Sequence, residues 1–193
     1  MKGSTHSDHI VVIFQQITEL KALQREQKLT NTFQEEQKQT NNDVKQQQGK
    51  LKDCMSHRVG FMSVMSSATT LAAKQTAVFD KVIYSSGGYD NQTGLFSCSV
   101  PGEYHFSVHA LSRPTHDIVI DLKLNSVVIT TLYVYSHVDI GQGSEGAVIH
   151  LNKNDVVSVV SAPCCTSEFY QDVNLVQSNV FTGHLIRSDD CLV

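Results

Sequence analysis

Residues Gly94–Ala110 read GLFSCSVPGEYHFSVHA, with Phe96, Val100, Tyr104, Phe106, Val108 and Ala110 at even positions. Between the later ones stand Glu103, His105, Ser107 and His109. A period of two sends alternate side chains to opposite sides of a pleated strand, so the aromatics face one way and the polar residues the other. That is a half-buried strand. Pro101 and Gly102 interrupt it, and proline has no N–H for a central ladder, so two strands meet at a corner there.

Outward from this stretch, strand-like runs continue over most of the chain: VGFMSVMS, AVFDKVIY, LFSCSV, EYHFSVHAL, IVIDLKLN, VVITTLYVYS, AVIHL, DVVSVVS and VFTGHLI. In IVIDLKLN, Ile118, Ile120, Leu122 and Leu124 share a face opposite Val119, Asp121, Lys123 and Asn125. No helical period separates the runs, and Gly, Asn, Asp and Ser sit at the breaks. Short strands in such series predict an antiparallel sandwich or barrel.

The first 58 residues differ. They hold ten glutamines between Gln15 and Gln48 and no proline, whereas Pro101, Pro114 and Pro163 all lie later. A boundary falls near His57, giving a helical stalk over 1–57, a globular head over 58–188 and a tail over 189–193. Residues 1–58 carry nine Lys/Arg against seven Asp/Glu and the remainder six against twelve, which together give the net charge of −4. The acidic head and the lack of a polybasic run argue against nucleic acid. The apolar run Ile10–Phe14 is too short for a signal h-region or a membrane span. No membrane insertion is expected, and three readings stay open: a cytosolic protein, unconventional export, or a removed leader.

Within the stalk, Ile10, Ile13, Ile17 and Leu20 recur at spacings of three and four. A second series runs through Leu23, Thr30, Gln37, Val44 and Leu51, partnered by Glu26, Phe33, Thr40, Gln47 and Cys54. These spacings predict coiled-coil seams with a slip between Leu20 and Leu23, and isoleucine at both positions of the first leans toward three or four strands. The second seam is polar and adds little burial; a solvated single helix or a disordered tether is the alternative. Cys54 would sit beside its symmetry mates, where an interchain disulfide could form; otherwise it is a free thiol.

From about residue 59 to 188 the chain resembles the complement C1q globular-head family, whose jelly roll is related to tumour necrosis factor. Phe79, Tyr89, Phe96, Gly102, Tyr104 and Phe106 match the aromatic and glycine positions of that signature, and Asp155, Phe181 and Gly183 match its later strands. Ser85 stands where the pattern has Asn or Asp, the loop to Tyr89 is one residue shorter, and Val108 replaces a final aromatic. The resemblance implies an all-β jelly-roll sandwich preceded by an N-terminal coiled-coil helix, assembled as a homotrimer. No Gly-X-Y repeat occurs, so the helical stalk takes the place of a collagen stalk, as in helix-stalked invertebrate members. On this reading Gly94–Ala110 is a central strand pair around a bend.

Few motifs compete. GQGSEG, Gly141–Gly146, fits G-x-G-x-x-G but leads into a strand rather than a helix, so it reads as a flexible loop and not a dinucleotide site. His105 and His109 share a strand face about 13 Å apart, too far for a common zinc ion, which leaves isolated surface or interface histidines. Cys164 and Cys165 are adjacent and are expected as two free thiols, with a vicinal disulfide the alternative. Asn91-Gln92-Thr93 is a glycosylation sequon. Family heads often hold calcium, for which Asp117 and Asp139 are the candidates; no other cofactor is expected. No catalytic constellation is visible, so the protein is not expected to be an enzyme.

The leading expectation is a secreted, lectin-like pattern-recognition protein of innate immunity. Its trimeric heads would bind glycans or other microbial surface molecules. Arg113, His116, Tyr133, Tyr135, His137 and Tyr170 are the candidate ligand residues, because sugars are commonly held by an aromatic platform with polar neighbours. The alternative is a secreted signalling or scaffolding ligand, cerebellin- or cytokine-like, that binds a protein receptor.

Overall fold

A computed structural model describes residues 6–171 and 178–191. The chain divides into two units, Met1–Leu51 and Lys52–Val193. The first is built from α1 (His6–Ser56). Its Gln, Lys, Glu and Leu residues favour helix, and threonine does not. Thr18, Thr30, Thr32 and Thr40 are accommodated because each hydroxyl donates to the carbonyl four residues back. Ile10, Ile13, Ile17 and Leu20 remain exposed on the single chain. The helix is therefore observed, while its association with other copies belongs to the proposal below.

The second unit is a sandwich of two sheets. Its strands are β1 (Gly60–Val64), β2 (Thr69–Leu71), β3 (Lys81–Ser85), β4 (Tyr89–Asp90), β5 (Leu95–Ser97), β6 (Gly102–Ser112), β7 (Ile118–Leu124), β8 (Val127–Val134), β9 (Gly141–Leu151), β10 (Val156–Ser161), β11 (Ser167–Phe169) and β12 (Val180–Ser188). One sheet has seven strands in the order β2-β11-β6-β12-β1-β3 with β9 also on β6; the other has five, β4-β5-β10-β7-β8. The pairings are antiparallel. This is the jelly-roll sandwich that the resemblance implies.

The structure corrects one reading of the chain and adds two features to it. The strands flanking Pro101-Gly102 are not a hydrogen-bonded pair: β5 lies in the five-stranded sheet and β6 in the seven-stranded one. The corner carries the chain across the core, and Gly102, at φ +154, is pressed against the Arg187 carbonyl where a Cβ would approach to 2.2 Å. Next, GQGSEG is not a flexible loop but the first half of β9, in register with β6 from Gly141 opposite Ser112 to Gly146 opposite Ser107. Finally β2, β4 and β11, two or three residues each, have no alternation long enough to announce them.

Phe61 of β1 is the hub of the core. It stacks on Tyr89 with ring centres 4.4 Å apart, meets Phe181 edge-on at 5.0 Å, and lies 5.6 Å from Phe96 and 6.4 Å from Phe106. Burying each such ring contributes about 1.5–3 kcal/mol. Phe79, Phe96, Tyr104, Phe106 and Phe181 are fully buried, and Val108 fills the position of the missing aromatic. Among the described residues His57 Nδ1 is buried without a hydrogen-bond partner, whereas the polar groups of the core are bonded. Asn179 accepts from the Leu111 N–H and donates to the Tyr170 carbonyl, while its own carbonyl receives the Met65 N–H. It thereby fastens β6, β11 and the end of β1 together.

The cysteines also depart from expectation. Cys54 bonds Cys191 within the same chain, so it makes no interchain bridge; the last turn of α1 and the 3-10 turn Asp189–Cys191 bring their Cα atoms to 5.2 Å, inside disulfide range. The bond ties the tail, as far as Cys191, to the end of α1. The tail's residues 192–193 lie outside the described residues. Cys164 and Cys165 are joined as a vicinal disulfide rather than standing as two thiols. Cys98 is left as a free, buried thiol, and burial pushes its pKa up.

Two outcomes follow. Gly183→Ala places a methyl 2.5 Å from the Phe106 ring and 2.6 Å from the Phe61 ring, and should lower stability by about 1–3 kcal/mol in urea unfolding. Alkylation should label no cysteine of the native protein at neutral pH, one after denaturation and all five after reduction, with no covalent multimer on a non-reducing gel.

Candidate functional site: an outward aromatic row beside an ion-paired loop

β8 is an end strand of the five-stranded sheet, and its alternation runs on past its last residue. Leu132, Val134 and Ser136 are buried, while Tyr133, Tyr135 and His137 point outward. The two tyrosines are 58% and 56% exposed. Their rings stack with centres 6.1 Å apart, and Tyr135 meets the His137 ring edge-on at 4.1 Å. Three candidates separated by two residues each thus form one continuous row, as outward positions of a strand must.

The loop beyond the row is held in place by the two aspartates considered for calcium. Asp117 accepts the Ser136 N–H at 3.2 Å, the Ser136 hydroxyl donates to the Asp139 carbonyl, and the Asp139 carboxylate accepts the Ile140 N–H at 2.8 Å. Both carboxylates thus serve loop backbone. Among the described residues no group of three or more His, Cys, Asp or Glu is placed to hold a metal ion.

Arg113 and His116 form a second group. Glu168 of β11, which sequence reasoning missed, lies 3.7 Å from the Arg113 guanidinium and 3.4 Å from His116 Nε2, and its carbonyl accepts the Arg113 N–H. Only the folded register brings Glu168 there, 55 positions after Arg113. The Asp117–Ser136 bond places this group and the aromatic row at the same end of the sandwich. Tyr170 is half-buried, and its N–H donates to the Leu111 carbonyl. Asn91 lies elsewhere, in the β4–β5 turn, where its side-chain amide donates to the Asp80 carbonyl at 2.7 Å.

On the seven-stranded sheet, His105 lies beside His184 of β12, with ring centres 5.3 Å apart. No local pattern in the chain hints at this pair, since it depends on the register of strands nearly eighty residues apart. Among the described residues no helix is long and apolar enough to cross a membrane.

A two-sheet antiparallel jelly roll with a mixed aromatic core gives the head the C1q/tumour necrosis factor-like fold. Residues 60–186 match the family model of the C1q domain. The chain belongs to the C1q domain family. It is 32% identical over 137 residues to the collagen alpha-1(X) chain of Mus musculus, 28% over 123 to the heavy metal-binding protein HIP of Mytilus edulis, and 26% over 142 to a complement C1q subcomponent of Mus musculus. Those alignments cover 68%, 61% and 69% of this chain, and the chain spans 20%, 57% and 53% of the three relatives. The globular domain of zebrafish complement 1qA superposes with a TM-score of 0.56 at 26% identity, over 68% of this chain and 99% of that one.

Because Tyr135 is exposed and its ring meets those of Tyr133 and His137, Tyr135→Ala should cost under about 1 kcal/mol in a melting experiment. The row can then be altered without unfolding the head.

Proposed function

We propose that the protein is a secreted, non-enzymatic recognition molecule whose heads, assembled in threes, bind surface glycans through the Tyr133–Tyr135–His137 row. The observation that carries this reading is the exposure of three aligned rings at one end of a rigid sandwich. Aromatic faces pack against the apolar C–H faces of sugars, and Arg113, His116 and Glu168 supply charged and hydrogen-bonding groups at the same end. The row is open rather than enclosed, so a single head binds weakly. Three linked heads raise overall affinity by about 10²–10⁴ where geometry lets them engage together. Domains of the C1q/tumour necrosis factor type form trimers, and the isoleucine seam of α1 favours the same association.

A glycan and lipopolysaccharide array, run with and without a calcium chelator, tests the reading. A defined subset of sugars should bind, and Tyr135→Ala or Tyr133→Ala should weaken that binding at least tenfold, with light scattering reporting a trimer. Silence on the array together with capture of one membrane receptor would replace it with the signalling-ligand reading.

A further inference from the structure

On the outward face of the seven-stranded sheet, four strands present one row in register: Gly60 of β1, His184 of β12, His105 of β6 and Val148 of β9. The two histidines are directly opposed across the β6–β12 ladder, with ring centres 5.3 Å apart and planes tilted by 53°. A zinc–imidazole bond of about 2.0–2.1 Å puts each ring centre about 3.2 Å from a shared ion, and a tetrahedral angle then separates the two centres by about 5.2 Å. The observed spacing matches that distance, so the two rings can share a cation once His105, whose Nε2 lies against Gly146 of β9, turns its nitrogen toward His184. His184 is exposed and His105 half-buried, so an ion can reach them from solvent.

The neighbours keep the position open. Gly60 stands beside His184, where a Cβ would come within 3.3 Å of the histidine Cβ. Gly146, on β9, lies against His105, and a Cβ there would come within 3.3 Å of Nε2. Glu103, two residues along β6 on the same face, is engaged by Arg187 at 3.3 Å and supplies no third ligand. The geometry points to a two-histidine site for a borderline divalent transition cation, of the class of Zn²⁺, Cu²⁺ or Ni²⁺, which imidazole suits and Ca²⁺ does not. Water or a donor from another molecule completes the coordination. The site shares no residue with the aromatic row, lies on the other sheet, and stands or falls apart from glycan recognition.

Calorimetric titration of the full chain with Zn²⁺, and Cu²⁺ electron paramagnetic resonance at one equivalent, test it. The expected result is saturable Zn²⁺ binding that excess Ca²⁺ leaves unchanged, and a copper spectrum with coupling to two imidazole nitrogens. His105→Ala and His184→Ala should each weaken binding at least tenfold, and the double variant should lose little more than either alone. His109→Ala, on the same face but opposite Val180, should bind as the unaltered chain does. Melting curves of each variant confirm folding. Undiminished binding in either single variant, equal loss in His109→Ala, or a one-nitrogen copper spectrum would overturn the assignment.

Discussion

The head depends on one close approach, that of the Phe61 ring to the Gly183 backbone. Both Phe61 and Phe106 lie against Gly183, on the strand between theirs, where a Cβ would come within 2.6 Å of either ring. Around that contact the aromatic cluster draws from β1, β5, β6 and β12, and from Tyr89 of β4, so it ties both sheets together. Tyr89 shows how tightly the cluster is bound at its rim. Its hydroxyl exchanges hydrogen bonds with the Phe79 backbone at 3.1 and 3.2 Å, and burial pushes its pKa up to about 12. A ring pinned at both ends cannot slide, and the register of β4 on β5 follows from it.

The polar bonds act where rings do not reach. At one end of the sandwich Asn179 holds three segments together, and Ser167 links β7 to β11 by exchanging bonds with the Val119 backbone. At the other end, Asp155 receives bonds from Asn125 and from the Asn152 backbone, which hold its carboxyl below the usual range. There too His150 meets Asp189 at 3.0 Å, and Cys191 closes on Cys54. The three-residue turn that ends the described chain is thus secured by a side-chain hydrogen bond, a disulfide and a backbone bond from the Asp189 N–H to the Pro101 carbonyl. Exposed side-chain pairs contribute little alone, so the covalent link dominates.

Much of this is legible in the chain because strand alternation is a local signal. Phe96, Tyr104, Phe106 and Phe181 can be assigned to the core from parity, and the same residues carry the family resemblance. What parity cannot carry is register between distant strands. His184 is an outward residue on a late strand and His105 on an early one; their adjacency exists only after β12 docks on β6. Glu168 is invisible for the same reason, sitting in a strand too short to alternate. The cysteines are hidden differently. A helical seam position suggests symmetry mates as partners of Cys54, but its bond is to Cys191 of the same chain, 137 positions away. For Tyr133, Tyr135 and His137 the local signal suffices, because all three belong to one strand and its continuation.

The same pleat that buries the core also dictates what the surface can offer. Each inward ring obliges its chain neighbours to point outward, so β8 displays tyrosines and β6 displays histidines without any change to the packing behind them. Such surfaces are shallow. An outward strand row cannot enclose a ligand, and it gains only what one face of each ring provides, about 1–3 kcal/mol per stacked group on a favourable partner. A shallow row of this kind gains affinity from repetition more readily than from depth. Sequence change in the outward row leaves the packing behind it untouched, because the rings around Gly183 hold the scaffold independently of what the surface displays.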